Sequence, residues 1–177
     1  MPPTLDPDPV LMERQLAAAI RDLLATLPHI GPIHTRERFP DDDVAAAQLT
    51  TMPDPVLGAD NPITNYVEIG LPSVSEGPYT SDLNTFLTFT YPITYTLGVS
   101  DSWAKPGFEF ASSGEMFIGM YMRARKLFKE HRTLGYDNCE HQFLQQDNVS
   151  LAPTPDGASV EHVADWSLTI NVAGLAR

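Results

Sequence analysis

The sequence predicts an α+β fold: an antiparallel or mixed twisted sheet with two main helices packed on one face, closing in a C-terminal β-hairpin. Three observations carry that prediction. Seven successive odd positions, Leu87, Phe89, Tyr91, Ile93, Tyr95, Leu97 and Val99, are apolar or aromatic, with threonines and Pro92 between them, the period of a long strand with one buried face. Two segments, Met12 to Leu27 and Met116 to Phe128, carry apolar residues at helical spacing. A second alternation, Val160, His162, Ala164, Trp166, Leu168, Ile170 and Val172, follows turn chemistry at Pro153 to Gly157.

The first seven residues read as a flexible arm and residues 8–177 as one domain. Asp8 followed by Pro9 starts the first helix, a carboxylate cap with proline at the first helical position. Met12, Leu16, Ala19, Ile20, Leu23 and Leu27 form its apolar stripe, and Pro28 ends it. Ile30 to Phe39 alternates and reads as a strand on a sheet edge. Asp41, Asp42 and Asp43 precede VAAAQL, where carboxylates meet the positive end of a short helix. Residues 52–65 hold three prolines and read as a loop, Tyr66 to Leu71 as a short strand, and Pro72 to Asp82 as a connection rich in Ser, Gly and Pro. In the long strand, Pro92 cannot donate to a ladder, so an edge or a bulge is expected there. Ser100 to Ala111 is a loop with Trp103 and Lys105. Ser112 and Glu115 then form a capping box ahead of the second helix, which runs to about Arg132, with Gly135 as a left-handed cap. Glu140 to Leu151 is a strand that pairs with the last one.

The chain of 177 residues has 11 Lys plus Arg against 23 Asp plus Glu, a net charge of −12, which argues against gripping nucleic acid through its phosphates. Ile, Leu, Val and Phe make up about a quarter of it, enough for a sizeable core. No apolar run approaches the roughly 18 residues of a membrane span, and MPPTLDPDP lacks the basic start and apolar stretch of a signal peptide, so a soluble, cytosolic chain is expected. Lone Cys139 has no partner for an internal disulfide. Charge is segregated. From Phe39 to Ala104 there are nine acidic residues and no Lys or Arg, whereas the second helix carries Arg123, Arg125, Lys126, Lys129 and Arg132 and sums to +3.

No phosphate loop, dinucleotide fingerprint, nucleophile elbow, H-E-x-x-H or paired C-x-x-C is present, so the sequence predicts neither an enzyme nor a cofactor. His131, Cys139 and His141 are types that suit zinc at a spacing that matches no common site; a buried thiol flanked by surface imidazoles is the plainer reading. Cys139 with a histidine also reads as a nucleophile and base, but lacks an orienting partner. His162 falls on the apolar side of the last strand, as a core or rim residue would. Three consecutive aspartates suit a divalent cation or, more simply, solvent. The cations of the second helix suit a solvated face, a protein neighbour or nucleic acid. Trp103 and Lys105 suit a binding surface or a lid on the core.

In the helix MERQLAAAIRDLLATLP leading into IGPIHTRERF, the strand FLTFTYPITYTLGV, the helix EMFIGMYMRARKLFKEHR and the closing ADWSLTINVAG, the chain resembles the tail terminator (tail completion) proteins of long-tailed bacteriophages. The resemblance is one of order and pattern over most of the chain. It implies a virion protein, assembled in the host cytoplasm, that forms a homo-oligomeric ring, commonly hexameric. Such a ring caps the tail tube, joins it to the head connector and passes DNA through its channel without holding it. Acidic walls suit that channel, with Asp41, Asp42, Asp43 and Asp54 as lining, and Trp103, Lys105, Arg123, Arg125, Lys126 and Lys129 then face neighbouring subunits or partners. Three other readings stand beside it: another neck protein such as a head completion or connector subunit, a small-molecule enzyme using Cys139, His141 or His162, and a peptide-binding module with an exposed strand edge near Pro92.

Overall fold

The computed structural model describes residues 1–28, 30–35, 63–78, 85–100, 110–153 and 159–175. Helix α1 spans Pro9–Leu24. Its start is the one expected: the Asp8 carboxylate accepts from the backbone N–H groups of Val10 at 2.8 Å and Leu11 at 3.2 Å. It ends at Leu24, short of Leu27, because the N–H groups of Thr26 and Leu27 turn back to the carbonyls of Leu23 and Leu24, three residues away. Pro28 disfavours helical backbone in the residue before it. Residues of the N-terminal arm lie along the body: Leu5 is buried, its N–H donates to Asn138 Oδ1 at 3.0 Å, and the Asp137 N–H donates to the Pro3 carbonyl at 3.2 Å.

Among the described residues seven strands follow: β1 (Ile33–Thr35), β2 (Ile63–Ile69), β3 (Ser73–Pro78), β4 (Thr85–Ser100), β5 (Cys139–His141), β6 (Gln145–Pro153) and β7 (Ser159–Leu175), with helix α2 (Phe110–Glu130) between β4 and β5. They form one mixed sheet in the order β1-β2-β4-β7-β5, with β3 also on β4 and β6 also on β7. Among the described strands only the β1–β2 pair is parallel. β1 is an edge, as expected, though residues 36–39 of the predicted strand lie outside the described residues. β4 and β7 are the long alternating segments, and they pair with each other at the centre of the sheet from Thr85 to Ser100.

The odd positions of β4 and the even positions of β7 face the two helices. Phe89, Tyr91, Ile93, Tyr95, Leu97, Ala164, Trp166, Leu168, Ile170 and Val172 are buried there against Met12, Leu16, Ile20 and Leu24 of α1 and Phe117, Met120, Ala124 and Phe128 of α2. Trp166 lies between Tyr95 and Tyr121, ring centroids 5.3 and 5.8 Å away. The Tyr91 hydroxyl donates to the Glu13 carbonyl at 3.1 Å and ties α1 to the central strand. The opposite face is polar: Thr88 donates to Asn171 at 3.0 Å, the hydroxyls of Thr90 and Thr169 are 3.2 Å apart, and Thr94 donates to Asp165 at 3.2 Å.

Both flanks of this central pair are interrupted. Ile69 faces Ile93 and Ser73 faces Thr90, four steps along β2–β3 against three along β4. On the other side His141 faces Ile170 and Gln145 faces Ser167, again four steps against three. Each extra residue is a bulge that bends its strand. The first one accommodates Pro92. A strand residue projects its N–H and C=O toward the same neighbour, and the Pro92 carbonyl accepts from the Gly70 N–H at 2.9 Å, so the missing N–H faces the break.

Three sequence expectations are corrected. Residues 73–78 form an edge strand, not a connection: the unpaired backbone of β4 recruits them although Ser73, Val74, Ser75 and Glu76 are all exposed and give no alternating pattern. The strand expected from Glu140 to Leu151 is split in two by the second bulge. α2 begins at Phe110, so Ser112 lies inside its first turn and not at its cap. Gly135 is left-handed as expected, with φ of 87°, but α2 ends at Glu130, so Gly135 turns the chain after the helix and does not cap it.

Candidate functional site

Packing of α2 is set by its sequence. Phe117, Met120, Ala124 and Phe128 recur every three or four residues and are buried, which leaves positions 118, 122, 125 and 129 on an exposed side of the helix. That outward stripe is Ile118, Met122, Arg125 and Lys129, with Lys126 beside it. Ile118 and Met122 are 59% and 54% exposed, large apolar side chains on solvent at the middle of a helix whose C-terminal part is cationic. The β5–β6 connection extends the surface. Tyr121 donates its hydroxyl to the Leu144 carbonyl at 3.2 Å, Leu144 is buried, and Phe143 beside it is 49% exposed with the Arg125 guanidinium 5.9 Å from its ring centroid.

The predicted cations stand as follows. Arg125, Lys126 and Lys129 are exposed on the stripe, and Arg123 is exposed at its flank, 4.0 Å from the Met120 sulfur. Lys126 approaches Glu130 at 3.8 Å, an exposed i,i+4 pair of little energetic weight. Arg132 pairs with Glu140 and ties the turn after α2 to β5. Arg123, Arg125 and Lys129 form no ion pair among the described residues. The fold therefore collects Arg125, Lys126 and Lys129 into one surface, with Arg123 at its rim. Trp103, Lys105, Asp41, Asp42, Asp43 and Asp54 lie outside the described residues.

Sequence reasoning missed Ile118, Met122 and Phe143. Ile118 and Met122 stand four apart on the same helical face as Lys126, the one signal that would have found them. Nothing in the sequence marks Phe143 as exposed, since its position depends on the bulge between His141 and Gln145.

The candidate chemical residues are engaged by the scaffold. Cys139 is buried, its thiol donates to the Thr133 carbonyl at 2.8 Å, and burial pushes its pKa up to about 11, so it is a thiol at neutral pH and a poor nucleophile or ligand. His141 is buried edge-on to Phe128, with ring centroids 5.5 Å apart, and both of its ring nitrogens face backbone carbonyls, those of Gln142 and His131. His162 lies 5.3 Å from the Phe117 ring, and burial lowers its pKa. Among the described residues no group of His, Cys, Asp or Glu side chains is placed to hold a metal ion, and no helix is long and apolar enough to cross a membrane.

No protein-family model matches the chain, and no curated protein matches it.

Proposed function

We propose that this chain is the subunit of a ring, commonly a hexamer in proteins of this pattern, that terminates a bacteriophage tail. In this reading the ring caps the completed tail tube, meets the head connector on its other side, and lets DNA pass through its channel in the assembled virion. The α2 surface is what supports it most directly: Ile118 and Met122 exposed in line with Arg125 and Lys129, cations without an ion pair among the described residues. Exposed apolar side chains next to unmatched charge mark a surface that is completed by another protein. The scaffold engages Cys139 and His141 through backbone carbonyls, which speaks for assembly over chemistry. Asp41, Asp42, Asp43 and Asp54, in the segment without Lys or Arg, are assigned to the channel wall, where negative charge would keep phosphates sliding. Trp103 and Lys105 are assigned to the partner-facing loops.

Electron microscopy of the purified chain, alone and mixed with tail tubes that lack their terminal ring, tests the reading. Rings seated on tube ends are expected. A chain that leaves every tube end bare refutes it.

A further inference from the structure

The polar face of the sheet, turned away from both helices, carries an open trough of about 310 Å³. Leu71 and Pro92, both exposed, line one side; Asp147 and Asp165, both exposed, line the other, with Thr94 and Ser167 on the floor. Asp165 accepts from the Thr94 hydroxyl at 3.2 Å and stands within 3.5 Å of the Asn148 amide, which fixes the carboxylate without neutralising it. No Lys or Arg pairs with Asp147 or Asp165 among the described residues. Asp147 owes its position to a bulge: Gln146 faces Trp166 and Asn148 faces Asp165, so Asp147 is the extra residue.

The trough is thus apolar on one side and anionic on the other, and the α2 stripe has an apolar end and a cationic end. Because α2 packs on the face of the sheet opposite the trough, the two surfaces cannot meet within one chain. We infer that the α2 stripe of one copy seats on the trough of the next, Ile118 and Met122 against Leu71 and Pro92, and Arg125 and Lys129 against Asp147 and Asp165. The occupant of the trough is a second copy of this chain. The two surfaces are different and lie on helix and sheet faces turned away from each other, so the contact is head to tail, the kind that closes a ring where its rotation allows. Opposite charges in separate patches also discourage the trough from meeting another trough, or the helix another helix. This contact rests on the ring reading for its biological setting and names the surfaces that would build the ring.

Two charge reversals test it on the full chain by sedimentation velocity at low salt. One variant is Asp147→Lys with Asp165→Lys; the other is Arg125→Glu with Lys129→Glu. Each is expected to weaken self-association at least tenfold. Mixed in equal amounts they are expected to reassociate, since the intact helix of the first meets the intact trough of the second and the two reversed surfaces meet each other. Asp165 holds hydrogen bonds in the sheet, so the single Asp147→Lys variant, together with circular dichroism of all variants, separates a lost contact from a lost fold. Variants that associate like the unaltered chain, a mixture that stays apart, or an unaltered chain that is monomeric at every concentration overturns the inference. Rings that persist in both reversals leave the tail-terminator reading standing and remove this interface. Head-to-tail oligomers that ignore tube ends keep the interface and remove the tail-terminator reading.

Discussion

Replacing Gly70 by alanine probes the break that lets a proline sit in the central strand. A Cβ at residue 70 would lie 2.9 Å from Pro92 Cγ, closer than carbon atoms approach, while its next neighbours, the Pro92 carbonyl oxygen and Cβ, stand at 3.6 and 3.9 Å. Gly70 is not among the residues with positive φ, so alanine meets no backbone strain there and should gain about 0.4–1 kcal/mol by restricting the unfolded chain. Overpacking against the rigid pyrrolidine ring opposes that gain by about 1–3 kcal/mol. The expected net is a loss of about 1–2 kcal/mol, read as a drop in Tm of roughly 2–8 °C for a domain of this size. In a Pro92→Ala background Cγ is gone, the remaining contacts are ordinary, and the same Gly70→Ala change should stabilise by about 0.4–1 kcal/mol. Urea denaturation of the four chains of this cycle measures the coupling, expected at about 1–3 kcal/mol. An equal effect of Gly70→Ala in both backgrounds refutes the argument that the proline ring is what requires glycine.

Three further outcomes follow from the packing. Phe128 is fully buried and meets His141 edge-on, so Phe128→Ala should destabilise by about 3–5 kcal/mol in urea; a loss below about 1 kcal/mol would contradict its place in the core. Cys139 should react with a disulfide reagent at pH 8 roughly a hundredfold more slowly in the folded protein than in urea, because burial raises its pKa; prompt labelling of the folded chain would count against its placement. His162 has a folded pKa below its unfolded value near 6.5, so the unfolded chain binds the extra proton: stability is full above about pH 6.5 and falls as the pH drops through the folded value. The stability of a His162→Gln variant should lose that part of the decline between pH 7.5 and 5, and an unchanged slope would assign the dependence to other groups.

How much was legible depended on whether an element carries its own partner information. β4, β7 and both helices announce themselves because burial on one side forces a period of 2.0 or 3.6 on the residues, as Phe89 to Leu97 and Met12 to Leu24 show. β3 did not, since Ser73 to Pro78 are held by the backbone of β4 and not by a buried face. The basic residues of α2 were legible as a cluster, but that Arg132 is engaged by Glu140, while Arg125 and Lys129 have no ion pair among the described residues, required the neighbouring turn and strand.

By itself the sequence determined the fold class, the two helices that cover the sheet, the two long strands and the segregation of charge, because each is written in local periodicity or composition. Tertiary structure alone decided that the last strand lies at the centre of the sheet, that bulges opposite Tyr91–Pro92 and Leu168–Thr169 split both flanking strands, and that Asp147 and Asp165, eighteen residues apart in the chain, line one trough. The physical reason is register. A strand's pattern says which side faces the core, but which strand it pairs with, and where one extra residue shifts the ladder, is settled by contacts between segments far apart in sequence.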